Sequence, residues 1–171
     1  MSGNTSSEPS LQRIQLCSGL LLRSDHVLLV RCRYEGESEP LWTLPGGRQE
    51  GTETIAETVL REFRDEASLT VSTRELAYVS ESFDCARGLH VINCTFFVAE
   101  GDATVTPRPA DPKVIEARFV PVAQAPSLLE ADVLRIPVSA TLAGPLKRRY
   151  FAFRDADISV SFFGRRRASH A

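Results

Sequence analysis

Three carboxylates lie close together in the sequence, at a spacing that places Glu62, Asp65 and Glu66 side by side on one face of a helix. Like charges at this distance repel one another by about a few tenths of a kcal/mol per pair on an exposed helix. A divalent cation would turn that repulsion into attraction, and Mg²⁺ or Mn²⁺ suits carboxylate and phosphate oxygens. A triplet of acids by itself is more often a solvated acidic face than a metal site. The surrounding residues must therefore decide between these two interpretations.

The acids follow a glycine-rich segment and belong to a predicted helix. Residues 46–51 read Gly-Gly-Arg-Gln-Glu-Gly, which predicts a loop. Thr54 is a suitable N-cap, and Glu57 three residues later completes a capping box. The apolar residues of the helix recur at helical spacing and form one face beside the acids: Ile55, Ala56, Val59, Leu60, Phe63 and Ala67.

The glycine-rich segment and the helix together resemble a known signature, the Nudix box, G-x5-E-x7-R-E-U-x-E-E-x-G-U, where U is a bulky apolar residue. The residues before it, Leu41 to Gly47, are also similar to the family's sequence at this place. Two positions depart from the pattern, because Asp65 replaces a glutamate and Ser68 replaces a glycine. The matching positions are Gly47, Glu53, Arg61, Glu62, Phe63, Glu66 and Leu69.

The resemblance implies a fold, a reaction and a cofactor. Nudix hydrolases cleave a phosphoanhydride bond in a nucleoside diphosphate linked to another group X, with Mg²⁺ or Mn²⁺. Carried over by position, Glu62 and Glu66 would be direct metal ligands, and the Gly46 carbonyl a further one. Asp65 is one methylene shorter than the family's glutamate, so we expect it to bind through water.

Two residues of the signature have alternative roles. Arg61 would orient the carboxylates in the family pattern, but it is equally suited to a surface ion pair with Asp65. Glu53 would assist the metal site, or it would only stabilise the helix N-terminus.

The identity of the general base stays open among Glu62, Glu53 and Glu116, since relatives take it from the signature or from a loop. In many relatives an acidic pair lies upstream of Glu116, whereas this chain has Pro112 and Lys113 at that place, which disfavours a loop-borne acid.

Substrate selection is expected outside the signature. Arg31 and Arg33 are candidates for contact with phosphate, and Trp42, Phe83 and His90 for stacking on a base. Each of these residue types alone is more often part of a core or of a solvated surface. The sequence therefore leaves the substrate-binding residues, the group X and the base unknown.

The order of predicted elements indicates an α/β fold. A mixed sheet with helices on both faces fits it, and the Nudix fold is an α/β/α sandwich, so pattern and resemblance agree. The predicted strands cover 11–22, 26–33, 41–44, 76–83, 89–99 and 114–120, with further strands in 150–163; later helices cover 127–134 and 137–146.

The whole chain predicts one domain in a reducing compartment. Its 171 residues suffice for a sizeable core. We expect a disordered segment at 1–10, a Nudix hydrolase domain at 11–163, and a basic, disordered tail at 164–171.

The four scattered cysteines favour free thiols in the cytoplasm. No stretch is typical of a membrane span, and a net charge of −2 makes nucleic-acid binding unlikely; a homodimer stays open.

Two functions are compatible with these features. The first is a metal-dependent Nudix pyrophosphohydrolase acting on a nucleotide-type diphosphate. The second is a nucleotide-binding or regulatory module of the same fold without turnover. Retention of Arg61, Glu62, Glu66 and Glu53 favours the enzyme, whereas Asp65 and Ser68 are the residues that favour the second function.

Overall fold

The computed structural model describes residues 11–34, 38–144 and 149–154. The predicted terminal segments, 1–10 and 164–171, and the part of the last predicted strands beyond residue 154 lie outside the described residues. Within these residues, no helix is both long enough and apolar enough to cross a membrane.

The described residues form eight strands and three helices. The strands are β1 (Gln12–Arg23), β2 (His26–Cys32), β3 (Leu41–Thr43), β4 (Gly46–Arg48), β5 (Val71–Asp84), β6 (Leu89–Glu100), β7 (Val114–Pro121) and β8 (Tyr150–Arg154). The helices are α1 (Ile55–Ala67), α2 (Ala125–Leu128) and α3 (Asp132–Leu142).

The strands pair as one mixed sheet, as predicted. The main path is β3-β2-β1-β6-β5-β8, while β4 pairs with β1 and β7 pairs with β2. The pairs β1–β6 and β5–β8 are parallel, and the other pairs are antiparallel. Because β1 binds β6 along one edge and β4 along the other, it lies at the centre of the fold.

Helices cover both faces of this sheet, which confirms the predicted α/β/α sandwich. Successive side chains of a strand point to opposite faces, so Leu20 and Leu21 of β1 enter different cores. Leu20 packs in a core with Val138 of α3, whereas Leu21 packs in a second core with Phe63 of α1. Full burial of a side chain such as Phe63 stabilises the fold by about 1.5–3 kcal/mol.

The structure differs from the predicted elements in four places. The helix predicted at 127–134 is wrong, because α2 covers only Ala125–Leu128 and the chain leaves the helix at Leu129. Residues 46–48, predicted as loop, form β4, because their backbone completes the ladder beside β1. β5 begins at Val71 rather than at residue 76. The third helix begins at Asp132, so Pro137 lies inside it instead of starting it. Burial of Val138 and its neighbours on the sheet offsets the backbone hydrogen bond that Pro137 cannot make.

Candidate active site

The start of α1 is fixed by the capping box predicted from the sequence. The Glu57 N–H donates to Thr54 Oγ1 at 3.2 Å, and the Thr54 N–H donates to Glu57 Oε2 at 2.7 Å. These two bonds satisfy backbone donors that have no partner within a helix. The first residue of the helix, and with it the direction of every later side chain, is therefore determined locally.

The end of α1 is fixed by Ser68 and by a loop. Ser68 adopts the left-handed conformation expected of the family's glycine, with φ 54° and ψ 33°. Its N–H donates to the Arg64 carbonyl at 3.0 Å. In the loop before β7, the N–H groups of Ala110 and Asp111 donate to the Asp65 carbonyl at 2.9 and 2.7 Å. The loop thus binds carbonyls that the helix end leaves free.

Two of the three predicted carboxylates are buried between α1 and the sheet. Glu62 and Glu66 are 9% and 7% exposed, respectively. The Gly46 N–H donates to Glu66 Oε2 at 2.9 Å. A Cβ atom on Gly47 would lie 2.2 Å from Glu62 Oε1, so only glycine allows that carboxylate to come so close to β4. Two carboxylates of adjacent helical turns therefore lie against the two glycines of the strand.

Arg61 connects the signature residues through its guanidinium group. Its Nε and Nη2 atoms lie 2.7 and 3.1 Å from the two carboxylate oxygens of Glu53. Its Nη1 lies 2.7 Å from Glu62 Oε1 and 3.9 Å from Asp65 Oδ2. Nη2 also donates to the Arg48 carbonyl at 3.0 Å. The short contacts are to Glu53 and Glu62, so this geometry favours the orienting role of Arg61 over a surface pair with Asp65.

Asp65 stands apart from the buried pair. Its side chain is 52% exposed, and the Arg61 guanidinium is its ion-pair neighbour at 3.9 Å. Its backbone carbonyl, in contrast, is engaged by the loop before β7. The three acids that share a helix face in the sequence therefore separate into two buried carboxylates and one exposed carboxylate.

The buried carboxylates have unusual proton affinities. Burial raises the pKa of Glu66 to about 8; the nearby charge of Glu62 adds to the rise, and the Gly46 N–H opposes it. Burial also raises the pKa of Glu62, against the effect of Arg61. The hydrogen bond from Arg61 lowers the pKa of Glu53 to about 2. The negative charge of Glu53 is thus compensated by Arg61, whereas the buried Glu66 carboxylate favours a bound proton or a cation.

Two residues near Glu66 were missed by the sequence analysis. The Cys32 thiol of β2 donates to Glu66 Oε1 at 3.9 Å, and burial raises the pKa of this thiol. Asp111 lies close enough for its charge to raise the pKa of Glu66 further. It immediately precedes Pro112, where the sequence analysis considered a loop-borne acid and disfavoured it. The acid one residue before Pro112 was the sequence signal from which Asp111 could have been identified.

The carboxylates of Glu62 and Glu66 suit a cation that also binds oxygen atoms of water or phosphate. Among residues 11–34, 38–144 and 149–154, no group of three or more His, Cys, Asp or Glu side chains is arranged to hold a metal ion. Mg²⁺ is usually bound by one or two carboxylates together with water and phosphate oxygens. Glu62 and Glu66 provide two such carboxylates, buried and without a basic partner for Glu66 in the described part of the chain.

A cleft opens beside the glycine pair on the α3 side of the sheet. Its cavity volume is about 70 Å³. Gly46 and Gly47 line it, so it borders the strand that contacts Glu62 and Glu66. The other lining residues are Leu16, Cys17, Ser18, Tyr34, Thr43, Leu44, Ser80, Ser82, Val91, Asn93, Val133 and Leu134.

The five predicted substrate-binding candidates lie outside this cleft. Phe83 and His90 stack on each other with ring centroids 4.4 Å apart. Trp42 lies under the guanidinium of Arg118 at 4.8 Å. Arg31 pairs with Trp42 across β2 and β3, and the exposed Arg33 donates its N–H to the Lys113 carbonyl. Three of the five side chains, Phe83, His90 and Trp42, therefore already have a ring or guanidinium partner.

Glu116 points away from the buried carboxylates. Its neighbour Ala117 packs with the core under α1, and alternation along β7 turns Glu116 to the opposite face. Its Oε1 lies 3.2 Å from the Nε of Arg118. Of the three candidates for a general base, Glu62 and Glu53 lie in the cluster around Arg61, and Glu116 does not.

A family model described as the NUDIX domain matches residues 15–142. The chain belongs to the NUDIX family. The 8-oxo-dGDP phosphatase NUDT18 of Mus musculus is 33% identical over 118 residues, which make up 68% of this chain and 35% of that protein. NUDT18 of Homo sapiens is 32% identical over the same length. The match thus spans 35% of the length of these curated relatives.

Solved structures of NUDIX members share the fold. The MutT protein of Bacillus halodurans has a TM-score of 0.65 and 24% identity, with 82% of this chain and 89% of that chain covered. The MutT NUDIX hydrolase of Burkholderia pseudomallei has a TM-score of 0.61 and 22% identity, with 75% and 97% covered. These likenesses support the α/β/α architecture, while the sequence match places the chain in the family.

Proposed function

We propose that this protein is a Nudix pyrophosphohydrolase that cleaves a phosphoanhydride bond in a nucleoside diphosphate derivative with Mg²⁺ or Mn²⁺. The observation that carries the proposal is the pair of buried carboxylates, Glu62 and Glu66, held against Gly46 and Gly47. Burying two acids together is costly unless a cation joins them. Family membership supports the same reaction class.

Glu62 and Glu66 would hold the cation, with the Gly46 carbonyl as a further ligand and Asp65 acting through water. When bound, the cation neutralises phosphate charge and lowers the pKa of water. Asp111, close to Glu66, is a further acid that would lie near water in the site. The signature side chains thus form an anionic surface that accepts a phosphate only together with metal.

Arg61 and Glu53 act as positioning residues. Both carboxylate oxygens of Glu53 accept hydrogen bonds from Arg61, and Oε2 also accepts from Thr58 at 3.0 Å. A carboxylate so engaged has little capacity to take a proton from water. With Glu116 on the other face, we propose Glu62 as the base among the three sequence candidates, acting through Oε2, since Arg61 bonds only Oε1 of Glu62 but both oxygens of Glu53.

The relatives provide a starting point for identifying the substrate class. The name of NUDT18 states that it acts on 8-oxo-dGDP, so this compound belongs in the first screen beside nucleoside triphosphates, nucleotide sugars and dinucleoside polyphosphates. A cytoplasmic location is part of the same proposal.

The test is product release from this set with Mg²⁺ or Mn²⁺. We expect turnover in the wild type and a loss of more than about 100-fold in Glu62→Gln and Glu66→Gln, because each removes a ligand charge. Glu75→Gln, at an exposed acid of β5, is the matched control and should keep full activity. Nucleotide binding without turnover in the wild type would favour the regulatory module instead.

A further inference from the structure

Thr58 places a hydroxyl group on the face of α1 that packs against the sheet. It is 0% exposed and lies one helical turn before Glu62 on the same face of the helix. Two further residues of this face, Val59 and Phe63, belong to the apolar core under α1. Threonine is less favourable than alanine inside a helix, and a buried hydroxyl costs free energy unless it is hydrogen-bonded. The hydroxyl at this position therefore requires a partner.

The Thr58 hydroxyl has two acceptors within reach. Its Oγ1 lies 3.0 Å from Glu53 Oε2 and 3.2 Å from the Thr54 carbonyl oxygen. The Thr54 carbonyl already accepts the Thr58 N–H at 3.0 Å, as in a regular helix. A hydroxyl has one hydrogen to donate, and a hydrogen bond to a carboxylate is stronger than one to a neutral carbonyl. The Thr58 hydroxyl therefore donates to Glu53.

Thr58 differs from the other donors to Glu53 in its burial. Arg61 donates to both oxygens of this carboxylate, and the Glu50 N–H reaches Oε2 at 3.2 Å. The Arg61 side chain is 24% exposed and Glu50 is exposed, whereas Thr58 is fully buried. The position of Thr58 is thus fixed by packing, and a side chain locked in this way can hold the carboxylate in one orientation.

The hydroxyl is held in turn by Cys17 of β1. Burial raises the pKa of the Cys17 thiol to about 11, against the effect of its hydrogen bond with Thr58, so the thiol keeps its hydrogen at neutral pH. The thiol can therefore donate to Thr58 Oγ1 while Oγ1 donates to Glu53. Cys17 is also the ladder partner of Gly47, and Gly47 lies against the Glu62 carboxylate. Thr58 thus connects the strands beside the site to the ion pairs of α1.

We infer that Thr58 is a positioning residue of this site, which holds Glu53 through its hydroxyl group and so fixes the direction in which Arg61 meets Glu62. This inference rests on the proposed function, in which Glu62 binds the metal and takes a proton from water. The effect of Thr58 passes through two other side chains. We therefore expect it to be smaller than the roughly 10–100-fold effect of a residue bonded directly to a metal ligand.

The first experiment measures kcat and KM on the best substrate for two variants. Thr58→Val has a similar shape but no hydroxyl group, and Thr58→Ser keeps the hydroxyl group. We expect Thr58→Val to lower kcat about three- to tenfold while KM changes by less than about twofold, and Thr58→Ser to retain most of kcat. An equal loss of kcat in both variants would overturn the inference.

The matched control is Thr141→Val. Thr141 is a buried threonine near the C-terminal end of α3, and its hydroxyl donates to the Pro137 carbonyl four residues earlier at 2.8 Å. The substitution removes a buried helix hydroxyl that has no link to the ion pairs of α1, so we expect kcat and KM to stay unchanged. A loss of kcat like that of Thr58→Val would assign the effect to helix packing and overturn the inference.

The second experiment follows the ion pair without metal or substrate. NMR measures hydrogen exchange of the Arg61 Nε–H group, which donates to Glu53 Oε1 at 2.7 Å, in each variant that thermal unfolding shows to be folded. We expect exchange to become at least about fivefold faster in Thr58→Val, because Glu53 is held less firmly. Thr58→Ser and Thr141→Val should match the wild type. If Thr58→Val does not fold, Thr58→Ala, which also lacks the hydroxyl and is smaller, takes its place.

The two experiments separate the inference from the proposed function. Faster exchange in Thr58→Val, found together with a wild type that turns over none of the substrates, would overturn the proposed function and leave the positioning of Glu53 supported. Unchanged exchange at Arg61 in the folded variant without a hydroxyl would overturn the inference, even with full turnover in the wild type.

Discussion

Arg61 and Glu53 form a two-point ion pair, with Nε–Oε1 and Nη2–Oε2 distances of 2.7 and 3.1 Å. The pair joins the loop before α1 to the second turn of that helix. Planar guanidinium and carboxylate groups fix one another's orientation when they meet at two points. The remaining Arg61 nitrogen therefore faces Glu62 Oε1 at 2.7 Å in a defined direction.

Glu53→Gln should weaken activity without removing a proposed ligand. The amide cannot accept two charge-assisted bonds, so Arg61 loses its orientation and Glu62 loses its neighbour. Residues that orient metal ligands typically contribute about 10–100-fold to activity or metal affinity, and we expect a loss in this range, seen in kcat and in Mn²⁺ titration. Glu57→Gln, four residues later, retains capping ability and is the control. Wild-type kcat and Mn²⁺ affinity in Glu53→Gln would contradict the positioning role.

Asp65 should matter less than Glu66. Its exposed side chain lies outside the buried pair, and its carboxylate is shorter than that of glutamate by one carbon–carbon bond, about 1.5 Å. We expect Asp65→Ala to lower kcat/KM less than Glu66→Ala, and Asp65→Glu to keep or raise it. The three variants are compared on one substrate. If Asp65→Ala is as damaging as Glu66→Ala, Asp65 is a direct ligand.

Gly47→Ala should damage the site while leaving the fold intact. The added Cβ would lie 2.2 Å from Glu62 Oε1, so the carboxylate must move away from β4. We expect a large fall in kcat with a small change in melting temperature, because the clash is with the end of a side chain. The control is Gly101→Ala, whose Cβ would meet only the Thr70 carbonyl at 3.7 Å. Normal activity in Gly47→Ala would show that Glu62 does not need its present position.

Ser68→Gly should stabilise the protein. Ser68 has a left-handed backbone at φ 54°, which costs an L-residue about 1–2 kcal/mol and glycine much less. After allowing for the greater freedom of glycine in the unfolded chain, we expect a gain of about 0.5–1 kcal/mol in the free energy of unfolding by urea. Ser68→Ala keeps a Cβ atom and should give no gain. An equal change in both variants would contradict this explanation.

Metal binding should release protons in a pH-dependent way. The pKa of Glu66 is raised to about 8 in the metal-free protein. At pH values between its ordinary value of 4.5 and 8, the folded protein holds a proton that the unfolded chain has lost. Metal-free stability therefore falls as pH rises through this window, and Mn²⁺ affinity rises over the same window because the ion displaces the proton.

Calorimetry of Mn²⁺ binding at pH 6.5, in buffers of different ionisation enthalpy, measures the released protons. We expect release in the wild type that declines above pH 8, with Glu66→Gln as the control that shows less. Equal proton release by both proteins would assign the titration to another group.

Much of the site could be located from short-range features of the sequence. The capping box at Thr54 and Glu57 and the apolar face with Val59 and Phe63 are short-range features, and both are found in the structure. The departure at Ser68 was also interpretable locally, since the glycine position requires a left-handed conformation. Such features depend on residues within one or two helical turns, so sequence spacing is sufficient to predict them.

Other features depended on contacts between distant segments. Residues 46–48 became a strand only because β1 supplied an edge, and α3 continued through Pro137 because its side chains bury against the sheet. Which acids of the triplet are buried, and the arrival of Asp111 beside Glu66, depend on how α1 meets β2 and the loop before β7.

The sequence by itself determined the family, the helix that carries the acids and most of the strands along the chain, because each rests on local spacing. Only the tertiary structure decided that Glu62 and Glu66 are buried while Asp65 is exposed. It also brought Asn93 and Ser80, from two strands outside the signature, together in the lining of one cleft. Burial and charge are properties of the space between elements, and that space is formed by residues far apart in the chain.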